Sequence, residues 1–142
     1  SIYEEWPFVM NLWNLFRSRW VAAYWQKHKQ YVLPVLQSPI WKSSEYHKGE
    51  EVDIVTDTLP ANIPAFAVQC RTLKQNGGDF KAFGAWLANR VVALKPEAVL
   101  IYGGLEHQSK FVGYLPRKQC RYVMLESFMA GRRRQMKENL DG

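Results

Sequence analysis

Apolar residues recur at helical spacing from residue 8 to about residue 27. Val9, Leu12, Trp13, Phe16, Trp20, Ala23 and Tyr24 fall on one face of a 3.6-residue repeat. Ahead of them, Glu4 and Glu5 precede Pro7, an acidic and proline-bearing helix start. Leu15, Val21 and Trp25 widen the apolar arc beyond a single stripe. Such a helix is expected to be buried on several sides or to pack against something outside the chain.

The pattern then shortens to strand lengths. Residues 31–36 form a β-branched and aromatic run holding Pro34, which predicts a short or edge strand. Residues 37–49 are polar and read as a loop, and residues 52–56 read as a strand. Residues 60–64, bounded by two prolines, predict a turn, and residues 65–70 a further strand. Asn76-Gly77-Gly78 predicts a turn, with Asp79 placed to cap the helix that follows. In that helix Phe80, Phe83, Leu87, Val91 and Leu94 share one face, and Pro96 ends it. Residues 98–102 form an apolar strand cut off by Gly103-Gly104, residues 122–125 a last strand, and residues 128–140 a polar, basic helix.

Strand, helix, strand over residues 65–102 is a βαβ unit, which implies parallel neighbours joined by a crossover. The expected fold is therefore α/β: a single, mostly parallel sheet of four or five strands flanked by three principal helices. A chain of 142 residues suits one domain over residues 1–142, which would serve equally as the C-terminal part of a longer protein.

Short motifs along most of the chain add a resemblance. Trp13-Asn14-Leu15-Phe16-Arg17-Ser18-Arg19 is followed by Tyr24-Trp25-Gln26. Further on come Val32-Leu33-Pro34-Val35, then Lys95-Pro96 with Leu100-Ile101-Tyr102-Gly103. In this order they resemble the family of domain of unknown function 4417, found in bacteria, archaea and viruses and common on phages and other mobile elements. The family's Phe-Asp-Gly-Ile-Pro stretch is reduced here to Thr58-Leu59-Pro60. The opening residues 1–7 are similar to the middle of the family's first strand-to-helix connection, which implies a preceding strand outside this chain. The resemblance implies a phage or mobile-element setting and no particular chemistry.

Composition narrows the classes. No apolar run reaches the ~18 residues of a membrane span, and no secretory-signal pattern is visible, so the default expectation is a cytoplasmic protein. Cys70 and Cys120 are far apart and in no metal-type spacing, which predicts reduced thiols packed in a core. Neither a dinucleotide fingerprint nor a P-loop nor His-Glu-x-x-His occurs, so no cofactor and no metal site are expected.

Charge changes the picture most. From residue 110 onward eight basic residues stand against three acidic ones, whereas the first 109 residues hold eleven against ten. Arg132, Arg133 and Arg134 are consecutive and fan across a helix surface at about 100° per residue. That fan suits a phosphate track, with Lys137 on the same helix and Arg117, Lys118 and Arg121 ahead of it. The leading expectation is thus a DNA- or RNA-associated module; a solvated helix end whose cations complement the helix dipole explains the same cluster. A second expectation is an enzyme for a phosphorylated or nucleotide-like substrate at the carboxyl ends of the strands. Its residues would come from Gln37, Asp57, Arg71, Thr72, Gly103, Gly104, Glu106, His107 and Ser127, with Asp57 and Arg71 binding phosphate or metal. Glu106 or His107 would act as base beside a backbone anion nest at the glycine pair. A third is an assembly component, presenting Trp6, Trp13, Trp20 and Trp25 to a protein partner or a second copy.

Overall fold

The structure, a computed structural model, describes residues 6–36, 41–42, 51–52, 54–70 and 80–138. Helix α1 spans Phe8–Lys27, following Pro7, whose fixed φ suits the approach to a helix. Strand β1 is Val35–Leu36, shorter than the run that predicted it. Pro34 has no N–H for a ladder; its carbonyl still accepts from the Ala67 N–H at 2.8 Å, and regular pairing begins one residue later.

The stretch expected to be loop contains β2, Trp41–Lys42, which pairs antiparallel with β3, Glu51–Val52. Residues 52–56 are therefore not one strand: after β3 the chain makes a helical turn, α2, Ile54–Asp57. Ile54 and Val55 are adjacent apolar residues, a break in period two that a half-buried strand does not show. The Asn76-Gly77-Gly78 turn and the Asp79 cap lie outside the described residues.

Strand β4, Ala65–Gln69, leads to helix α3, Phe80–Leu94, and then to β5, Ala98–Tyr102. Lys95 adopts a positive φ of 48° directly after α3, and Pro96 follows, so the helix stops where the sequence predicts. Beyond β5 come a 3-10 turn at Leu105–His107, a short helix α4 at Gln108–Phe111 and a second 3-10 turn at Val112–Tyr114. Strand β6, Arg121–Leu125, and helix α5, Phe128–Glu138, complete the described chain.

The main sheet has the order β1-β4-β5-β6, and every neighbouring pair is parallel. The α/β expectation is met with four strands. Period-two alternation divides each strand between two faces. Leu36, Phe66, Val68, Val99 and Ile101 are buried on one face, where Phe83, Leu87, Val91 and Leu94 of α3 meet them with Phe111 and Leu115. Phe83 and Phe111 pack edge to face, 5.4 Å apart at 88°.

The other face is different. Val35, Ala67, Leu100 and Val123 stand in register across all four strands, yet Val35 is 54% and Val123 36% exposed. All-parallel sheets are ordinarily covered on both faces. Among the described residues, this one is covered on one.

The turn after β5 is held by sterics. Gly103 has φ 70°, a conformation that favours glycine, and a Cβ on Gly104 would stand 2.5 Å from the Ile101 side chain and 3.0 Å from its carbonyl oxygen. A Gly104→Ala variant is expected to lose about 1–3 kcal/mol through this clash with a fully buried residue. Its denaturant midpoint should fall; an unchanged midpoint would mean that the turn relaxes freely.

Candidate functional site

The carboxyl ends of β5 and β6 carry the residues expected for an enzyme, and their hydrogen bonds give them structural work. The Gly103 N–H donates to the Leu125 carbonyl at 2.8 Å and the Gly104 N–H to the Ile101 carbonyl at 3.3 Å. The expected anion nest therefore has its two amides engaged. Glu106 Oε1 accepts from both the Ser127 hydroxyl, at 2.7 Å, and the Ser127 N–H, at 3.1 Å. The Ser127 oxygen in turn accepts from the Ala130 N–H at 3.3 Å, a helix cap at the start of α5. The Tyr102 hydroxyl oxygen accepts from the Phe128 N–H at 3.0 Å. Carboxylate, serine and tyrosine together thus anchor α5 onto the sheet.

The sequence missed this anchor, although a serine just ahead of a helix is a cap signal in itself. Finding the glutamate that holds it requires the tertiary pairing of β5 with β6.

His107 is buried, with its ring 4.8 Å from that of Phe80, so it packs in the aromatic layer under α3. Asp57 is exposed at the end of α2 and does not sit at the end of a sheet strand. No hydrogen bond or ion pair among the described residues joins it to Glu106 or His107. Gln37, Arg71 and Thr72 lie outside the described residues. Among the described residues, no group of three or more His, Cys, Asp or Glu side chains could hold a metal ion.

Both thiols are free. Burial pushes Cys70 up to about 12. Cys120 is also raised by burial, against a smaller opposing effect of its hydrogen bond with Tyr122. A protonated, buried thiol is a poor nucleophile.

The basic residues fall into two groups. Arg117, Lys118 and Arg121 are exposed at the amino end of β6. Arg132, Arg133, Arg134 and Lys137 lie on α5, beyond the carboxyl end of β6. Strand β6, about 13 Å long at 3.3 Å per residue, runs from the first group toward the start of α5. No residue of α5 is buried. Arg134 Nη2 lies 3.1 Å from Glu126 and its Nε 3.9 Å from Glu138. Arg132, Arg133 and Lys137 make no ion pair among the described residues. Lys110 is set apart, its ammonium 5.0 Å over the Phe80 ring.

Helix α1 is turned against its own pattern. Asn11 and Leu15 are its buried residues, with Phe8, Arg19 and Ala22 partly covered along the same side. The Arg19 Nε–H donates to the Thr58 hydroxyl at 3.4 Å, and burial lowers the pKa of its guanidinium. The apolar stripe faces solvent instead: Trp13 is 56%, Phe16 57% and Trp20 63% exposed. Beside that stripe a groove of about 540 Å³ runs between α1, at Arg17 and Trp25, and the segment Val32–Val35 leading into β1.

Comparisons with known proteins give a family of unknown function and relatives from phages. The family model for a domain of unknown function, DUF4417, matches residues 1–114. The chain is 27% identical over 107 residues to the Gene 1 proteins of Mycobacterium phages L5 and D29. That stretch is 75% of this chain but 43% and 36% of the two relatives, so the chain spans less than half of their length. No solved structure matches it significantly.

Two tests follow from the anchor and the thiols. Ser127→Ala removes the cap and should cost about 1 kcal/mol, with hydrogen exchange of α5 amides rising faster than that of β5. Equal rises would mean that Ser127 stabilises the whole domain and does not specifically hold α5. Cys70 should resist alkylation at pH 8 in the folded protein and react promptly in denaturant. Because folding raises its pKa, its contribution to stability is present below about pH 9 and lost as pH climbs toward about 12. A Cys70→Ala variant should show a flatter decline of its denaturant midpoint over that range.

Proposed function

The chain belongs to the DUF4417 family, and on that footing we propose that it is a nucleic-acid-associated module of a phage or mobile-element protein, acting in the cytoplasm of the host. The observation that carries the reading is the state of α5. It is a helix with no buried residue, on which the exposed Arg132, Arg133 and Lys137 stand without ion pairs among the described residues, in the part of the chain where the positive charge gathers. Arginine and lysine on such a helix meet phosphate oxygens without selecting a base, so the contact is to backbone. Arg134 is partly committed to Glu126 and Glu138 and contributes less. Its pairing with Glu126 also steadies the helix that carries the free cations.

Arg117, Lys118 and Arg121 form a second patch at the amino end of β6, the strand whose carboxyl end leads into α5. A duplex laid along β6 would meet both patches. The Glu106–Ser127 cap and the Tyr102 hydrogen bond hold the helix in a fixed relation to the strand, which a two-point contact needs.

Salt dependence tests the reading and measures the number of contacts. Affinity for a DNA duplex or an RNA should fall with the logarithm of salt, with a slope of about −0.9 per phosphate neutralised on a duplex. Contact through α5 alone predicts a slope of about −3, and contact through both patches about −5. Replacing Arg132 and Arg133 with Ala should reduce the slope by about 2 and weaken binding about equally across sequences. The absence of any mobility shift at low salt would sink the proposal.

A further inference from the structure

The outward stripe of α1 has a spacing of its own. Val9, Trp13, Phe16, Trp20 and Ala23 recur at intervals of four, three, four and three, the seam by which one helix packs along another. All five are exposed, over a length of about 21 Å at 1.5 Å per residue. Arg17 lies next to the seam between Phe16 and Trp20, exposed and without an ion pair among the described residues, and Lys27 continues the seam beyond Ala23. From residue 8 to residue 27 there is no acidic residue.

From this seam and its charge we propose that α1 is the docking surface for an acidic amphipathic helix of a second protein. Residues flanking such a seam set partner choice through ion pairs. A second copy of α1 would bring only cations to meet cations, whichever way it ran. A partner with Glu or Asp beside its apolar seam meets Arg17 and Lys27 with opposite charge. Single-stranded nucleic acid fits the stripe less well. Trp13 already stacks on Phe16 at 5.6 Å and 21°, and Trp20 on Tyr24 at 6.2 Å and 17°, so one face of each ring is already taken by a neighbour. Ridges of paired rings suit the grooves of a helix.

The probe is a synthetic three-heptad peptide with Leu along its seam and Glu at the flanking positions, beside a twin carrying Lys for Glu. Titration by calorimetry and tryptophan fluorescence should show one-to-one binding of the Glu peptide with a blue shift. The Lys peptide should bind at least 10-fold more weakly. Phe16→Gln with Trp20→Gln should weaken binding at least 10-fold and Arg17→Gln about 3-fold, while the Arg132→Ala, Arg133→Ala protein binds the peptide unchanged. The seam lies outside the core, so these variants should keep the wild-type circular dichroism and melting temperature. Equal binding of the two peptides, or saturable binding of neither, overturns the proposal. So does sedimentation of the free protein as a dimer that Phe16→Gln dissociates, or displacement of bound Glu peptide by an oligothymidine.

Discussion

A parallel strand reaches its neighbour only by crossing back over the sheet, and here the described crossings return to the same face. The strand order β1-β4-β5-β6 follows the chain, each strand being added on the same side of the last. Crossovers of one hand, always advancing in one direction, must stack their helices on a single face. That face receives Phe83, Leu87 and Val91 from α3, and Phe111 from α4, onto Phe66, Val99 and Ile101. The opposite face, with Val35, Leu100 and Val123 in register, is left half exposed. The core is therefore well packed and one-sided, and apolar surface elsewhere in the molecule is a consequence of topology.

The orientation of α1 extends the same theme. Its contact with the core is narrow, essentially Leu15 with Phe8 beside it, and the neighbouring inward positions are polar. Arg19 occupies that polar strip and donates to Thr58, so a charged side chain sits where an ordinary amphipathic helix has an aliphatic one. With the polar strip inward, the aromatic stripe has only solvent or a partner to face. Contiguous exposed apolar surface of this kind marks an interaction site more often than a solvated surface.

At the carboxyl ends of β5 and β6 the polar residues serve position. Glu106, Ser127 and Tyr102 fix the start of α5, and the glycine pair closes the turn between strand and 3-10 helix with its amides bonded. Ser127 is buried and bonded through both its N–H and its hydroxyl, and a satisfied buried polar group rigidifies what it joins. The result is that the most basic helix of the chain is held firmly at its first turn while the rest of it stays open to solvent. The family match leaves the chemistry of such a domain open, and the phage relatives are more than twice as long as the matched stretch.

The sequence by itself determined the elements whose partners are close along the chain. Helix α1, helix α3 with its Phe83, Leu87, Val91 and Leu94 face, and strands β4 and β5 are where periodicity puts them, because helical and strand repeats are local properties. The concentration of charge in the last quarter of the chain was equally legible. Only tertiary structure decided which face of α1 is inward, since periodicity finds a stripe but carries no information on what covers it. It also decided that Glu106 meets Ser127 and that His107 packs on Phe80. Those contacts depend on the register of β5 with β6 and on α3 crossing above them, and register is set by pairing between strands far apart in sequence. The short pair β2–β3 escaped for a related reason: two residues are too few to show a repeat, so the pairing partner alone makes them strands.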